Sequence, residues 1–94
     1  MKKVLIISYD LTKPSQSYEP LIQRIKGLGG WAKLGGSAYL VFTQYGPVQV
    51  RDHLWEVMDK SDKLFVGTCP SPAAWNGLPQ DVSTWIINNQ KKGS

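Results

Sequence analysis

The stretch KVLIISYDL, residues 3–11, constrains the fold more than any other. It is continuous, apolar and rich in β-branched residues, and it is short, so it reads as a buried strand. With a two-residue period, Val4, Ile6, Ser8 and Asp10 share one face, and Leu5, Ile7, Tyr9 and Leu11 share the other. The second face is the more uniformly apolar and is expected to meet helices. Asp10 then ends the strand on the opposite face.

The elements that follow alternate in period. TKPSQS is a loop, Ser17 is a plausible N-cap, and Pro20 suits a first helical turn. Leu21, Ile22, Ile25 and Leu28 recur at helical spacing, and Gly29-Gly30 is expected to stop that helix. WAKL and SAYLVFT flank Gly35-Gly36, the pattern of a tight hairpin. Gly46-Pro47 opens a second helix with Val50, Leu54, Val57 and Met58 as its stripe, ending near Ser61-Asp62. KLFVGTC is a fourth strand, closed by Pro70 and Pro72, and SPAAWNG is a loop. A last helix runs from about Leu78, with Val82, Trp85 and Ile86 on its face.

The order β-α-β-β-α-β plus a helix predicts an α+β, ferredoxin-like fold: an antiparallel sheet with two helices on one face and an additional C-terminal helix. One domain is expected over residues 1–94, with about 91–94 as a flexible tail. The bare sheet face needs cover from the last helix, from a second subunit or from a ligand.

Charge and cysteine content narrow the functional classes. The formal net charge is +4, but Lys2, Lys3, Lys91 and Lys92 lie at the two ends, and without them acids and bases balance. A neutral body is weak support for a long nucleic-acid groove. The one cysteine, Cys69, excludes an intramolecular disulfide and a multi-cysteine zinc site and favours a reducing compartment. The N-terminal apolar run is too short for a signal segment and is interrupted by Asp10, and no stretch has the length of a membrane helix. A cytoplasmic protein is expected.

Chemistry-bearing residues are few. Asp10, with Ser8 beside it, is placed to hold a divalent ion such as Mg²⁺ only if a two-fold dimer supplies a second copy. Otherwise it is a turn former accepting hydrogen bonds from the amides of Leu11–Lys13. His53 lacks ligand-spaced partners, and Cys69 has no identifiable base. Four tryptophans are many for this length. Trp85 belongs to a helical stripe. Trp75 sits in a loop, where its ring packs back on the body or meets a partner. Trp31, Lys33 and Tyr39 form a possible stacking and phosphate-binding surface, with Tyr9 on the first strand; a sealing hydrophobic cluster or a dimer interface is the alternative. GLGGWAKLGGSAYL is glycine-rich but lacks the Gly-Lys-Ser/Thr ending of a phosphate loop.

VLIISYDL, followed by a polar loop, a helix and GWAKLGGSAYLVFT, resembles the opening of the small CRISPR-associated adaptation subunit, the second Cas protein. The chain is similar, over nearly its whole length, to SinR-like small bacterial and phage proteins. The shared features are SYDL-x-KP, a following tyrosine, a tryptophan near the second strand, and a C-terminal segment like AAWNGLPQDVSTWI. The resemblance implies a ferredoxin-like homodimer in a bacterial cell. In the CRISPR family the acid matching Asp10 is the proposed magnesium ligand of a phosphodiesterase. That family ends in a strand completing its partner's sheet, whereas this chain is expected to end in a helix. Two functions follow as expectations. One is a non-catalytic oligomeric module binding a nucleotide-like or phosphorylated ligand or a protein partner, such as a sequestering protein in phage defence. The other is a Mg²⁺-dependent endonuclease using Asp10.

Overall fold

The computed structural model describes residues 1–13 and 18–93. Its elements are β1 (Lys3–Asp10), α1 (Glu19–Lys26), β2 (Gly30–Gly35), β3 (Ala38–Thr43), α2 (Pro47–Trp55), β4 (Lys63–Thr68) and α3 (Gln80–Gly93). The four strands form one antiparallel sheet in the order β2-β3-β1-β4. The most apolar strand is thus internal, paired with β3 on one side and β4 on the other.

The two faces of β1 divide as its period requires. Leu5, Ile7 and Tyr9 bury themselves against Leu21 and Ile25 of α1, Val50 and Leu54 of α2, and Tyr39 and Val41 of β3. Each fully buried Leu or Ile stabilises by about 1.5–3 kcal/mol, so this layer holds most of the fold. On the opposite face Val4 and Leu40 pack with Ile86 of α3, flanked by Ile6, Phe42, Trp75, Val82 and Trp85. The C-terminal helix therefore supplies the cover that face needs, but only over the half bearing Val4. Toward the other end of β1, Ser8, Asp10 and Phe65 are exposed.

Several boundaries differ from the sequence expectations. Pro20 lies in the first turn of α1, but its N-cap is Tyr18, with no side-chain bond; Ser17 falls outside the described residues. α1 stops at Lys26 rather than at Gly29-Gly30, with Gly27 as its cap. Gly29 has a positive φ of 150°, and a Cβ there would collide with the Phe42 carbonyl oxygen, so this close approach requires glycine. The β2–β3 turn is Gly36-Ser37, one residue later than expected, because a bulge between Lys33 and Gly35 shifts the register. α2 ends at Trp55, well before Ser61-Asp62, although Val57 and Met58 still pack on the core. α3 carries on through Lys91 and Lys92 to Gly93, where a tail was expected.

Two backbone bonds set which groups point where. Tyr9 N–H donates to the Ser37 carbonyl at 3.1 Å, and Cys69 N–H donates to the Val4 carbonyl at 2.9 Å. In an antiparallel ladder these directions alternate, so odd residues of β1 bond β3 and even ones bond β4. Carried across the register, the free edge of β2 presents the backbone groups of Trp31 and Lys33. The free edge of β4 presents those of Leu64, Val66 and Thr68.

Candidate functional site

The sequence-nominated residues fall in separate places. Tyr9 and Tyr39 meet inside the helix-side layer, with ring centroids 6.5 Å apart and planes 18° from parallel. Both are buried, which takes their faces away from any ligand. Burial, and then the neighbouring Tyr39, push the Tyr9 hydroxyl above its ordinary pKa. Trp75 packs back on the body: it belongs to the α3-side cluster, and its Nε1–H donates to Ser83 Oγ at 2.9 Å.

Trp31 and Lys33 remain together at the β2 edge. Trp31 is 41% exposed, its ring centroid is 6.0 Å from that of Tyr39, and Lys26 Nζ stands 4.5 Å over its ring. Lys33 Nζ lies 5.9 Å from the centre of the Tyr39 ring. Tyr39 thus serves as the buried footing on which the exposed indole and the lysine rest. Around the strand edge runs a groove of about 270 Å³ lined by Trp31, Ala32 and Lys33 of β2 and by Asp81, Val82 and Trp85 of α3; of the three β2 side chains only that of Ala32 is on the α3 side of the sheet. Trp85 and Asp81 were not nominated from sequence. Trp85 lies over Gly30 of β2, its indole 3.7–3.8 Å from where a Cβ would stand. A larger concavity of about 330 Å³ lies between α1 and α2, lined by Gly27, Leu28, Tyr45, Gln49, Val50 and His53. It has no lysine or arginine wall, and Gln49 Oε1 is already engaged by Gly46 N–H.

Asp10 is exposed at the end of β1, opposite Lys63 in the β4 register, with Ser8 and Phe65 nearby in a shallow depression. Among the described residues it accepts no hydrogen bond and forms no ion pair within 4.0 Å. Its role as acceptor for the following loop is corrected: that role belongs to Asp62. Asp62 Oδ1 accepts from Thr12 N–H at 2.9 Å, Thr12 Oγ1 at 3.1 Å and Tyr18 OH at 3.1 Å, while Oδ2 accepts from Asp59 N–H at 2.8 Å. Asp59 in turn pairs with Lys13 at 2.9 Å and accepts from Ser61 N–H and Oγ. Burial pushes the Asp62 carboxyl up, but the four donors outweigh it and hold it below the usual range. Hydrogen bonds from Lys13 and Ser61 hold Asp59 well below it.

No group of three His, Cys, Asp or Glu side chains could hold a metal ion among the described residues. No described helix is long and apolar enough to cross a membrane. Comparison with protein-family models, with curated proteins and with solved structures finds no match to this chain.

Proposed function

We propose that the protein is a ferredoxin-like, homo-oligomeric binding module of a bacterial cytoplasm, akin to the SinR-like small proteins, that holds a nucleotide-like ligand at the β2 edge. The observation that carries this is the groove at the β2 edge lined by Trp31, Ala32, Lys33, Asp81, Val82 and Trp85, with the Trp31 ring and the Lys33 ammonium on the α1 side of that edge and Trp85 on the α3 side. An aromatic base gains from stacking on an indole, about 1–3 kcal/mol per base. A phosphate gains from the Lys33 cation, and from Lys26 once it swings off the Trp31 face that a base would occupy. The free-edge N–H groups of Trp31 and Lys33 add donors for base or phosphate oxygens. At about 270 Å³ the groove lies just below the range usual for ligand pockets, about 300–1,000 Å³, which suits a mononucleotide better than a longer strand. Calorimetric titration with purine and pyrimidine mononucleotides tests this. Trp31→Ala and Lys33→Ala are each expected to weaken binding by about tenfold. The absence of heat with all of these nucleotides overturns it.

A second reading has one observation in its favour. The Asp10 carboxylate is exposed and unpaired among the described residues, as a metal ligand awaiting its site would be. In that reading the chain is a Mg²⁺-dependent endonuclease of the CRISPR adaptation-subunit type, and two copies of Asp10 share the ion across a two-fold axis. Labelled RNA and DNA should then be cleaved with Mg²⁺ or Mn²⁺ by the wild type and not by Asp10→Ala. Equal activity in both, or none in either, rejects it.

A further inference from the structure

We infer that the open edge of β4 is the self-association surface of this protein, pairing antiparallel with β4 of a second copy to continue the sheet from four strands to eight. This rests on the proposed reading only for its expectation of a homo-oligomer. The starting point is the state of the edge. β4 is regular over Lys63–Thr68, with no bulge and no internal proline, and no described strand covers its outer side. Leu64, Val66 and Thr68 therefore present three N–H and three C=O groups with no backbone partner among the described residues. Such an edge is a template for another strand unless it is blunted. Large apolar side chains flank it: Phe65 is 63% exposed on the sheet face and Val48 is 59% exposed on the rim of α2. Between them runs a groove lined by Pro47, Val48, Arg51, Leu64, Phe65 and Val66.

A second copy is the occupant because the segment is self-complementary. The ladder is bounded on one side by Asp62, whose N–H is spent on the Asp59 carbonyl, and on the other by Pro70, which has no N–H. These two stops are equidistant from Val66. A two-fold axis at Val66 sets Leu64 opposite Thr68 of the other copy and Val66 opposite itself, so all three edge residues of each chain are paired at once. In the same register Phe65 lies opposite Gly67 of the other copy, and because each Phe65 ring already leans over its own Gly67, the two rings meet across the seam. Lys63 lies opposite Cys69, so the two Lys63 ammonium groups do not meet across the seam. Any other two-fold register leaves at least one of the three edge residues facing Asp62 or Pro70.

The geometry also separates this assembly from the metal-sharing one. Two Asp10 residues would stand three strand spacings and about six residues apart along the strands, roughly 25 Å, too far to share an ion.

Sedimentation velocity on the full chain, from low to high micromolar concentration, tests the inference with two variants whose folding is verified by circular dichroism. Thr68→Pro removes an edge N–H, and Phe65→Lys places charges at the seam while changing only an exposed side chain. The wild type is expected to dimerise, and each folded variant to raise the dissociation constant by about tenfold or more. Should Thr68→Pro not fold, Phe65→Lys alone decides. A wild type that stays monomeric overturns the inference, and so does a Phe65→Lys dimer as tight as the wild type, which would place the interface elsewhere. Mononucleotide titration of Phe65→Lys keeps the two proposals apart, because the β2 groove is at the opposite edge. Nucleotide binding by a monomeric wild type sinks only the edge pairing; a β4-dependent dimer without nucleotide binding sinks only the groove.

Discussion

β2 and β4 are the outer strands of one sheet, each six residues long, yet their free edges differ in chemistry. The β2 edge carries a bulge, a glycine at each end, Lys33, and Trp31 with Lys26 laid over its ring. α3 runs alongside it and turns its outer side into a groove. Bulges and lysines are what keep a strand from adding to an edge. The β4 edge has none of these between Lys63 and Pro70, and it presents Phe65 instead. The contrast teaches how a small chain separates two kinds of recognition. An edge that is bulged, lysine-bearing and walled admits a small ligand and refuses a strand; a regular edge without a bulge admits a strand.

The largest expected effect in breaking this contrast comes at the point where β4 is anchored. Asp62 is 5% exposed and ties the β4 entrance to the loop after β1 through Thr12, with Tyr18 on the same oxygen. Asp62→Ala leaves four donor groups without their acceptor, so the thermal midpoint should fall by about 10 °C. Dimerisation should weaken with it, since Leu64 is only two residues away, whereas nucleotide affinity of the folded protein at β2 should not change. The same clamp gives stability a pH dependence of known sign. Asp59 and Asp62 have folded-state pKa values below their ordinary 3.8, so the unfolded chain takes up protons first as the solution is acidified. Their contribution is complete above that value and is lost as pH falls toward the lowered ones. Thermal melts between pH 6 and pH 2.5 should show a falling midpoint below about pH 4 in the wild type and a shallower fall in Asp62→Ala.

Much of this architecture was legible in the sequence. The two-residue period of KVLIISYDL assigned Leu5, Ile7 and Tyr9 to the helix side and placed Asp10 on the other, and the element order followed from the glycine and proline punctuation. What period cannot show is who sits across from whom. Asp62 and Thr12 are 50 residues apart, so the hydrogen bonds that make Asp62 the turn acceptor, and leave Asp10 without that role, are invisible to local pattern. A buried acid just before a strand, within a cluster of Asp59, Ser61 and Asp62, was the available signal. The burial of Tyr39 was masked for a similar reason: tyrosine suits a core layer and a ligand surface equally well. Trp85 was legible as part of a helical stripe, but its place in the β2 groove depends on how α3 lies along the sheet.

The smallest expected effect is the sharpest test of the comparison, because it uses one substitution type at both edges. Gly30 of β2 and Gly67 of β4 lie on the same sheet face, in pairs with Phe42 and Ile6. Neither has a positive φ, so alanine strains neither backbone. At Gly30 a Cβ would meet Trp85 and Phe42 atoms at 3.7–3.8 Å, which is ordinary contact. At Gly67 it would meet Phe65 Cε2 and Cζ at 3.1 and 3.2 Å, so the ring must move by a few tenths of an ångström. Phe65 is exposed enough to do so, and alanine also restricts the unfolded chain, worth about 0.4–1 kcal/mol in favour of folding. Both variants should therefore melt within about 3 °C of the wild type. They should part on association. Gly67→Ala displaces the Phe65 ring that meets its mate across the seam, so the dimer should weaken by about threefold, while Gly30→Ala, on the far edge, should leave it unchanged. Sedimentation at matched concentrations reads the difference. Equal weakening by both alanines would mean that the two edges are not distinct, and that association runs through the shared sheet face instead of through β4.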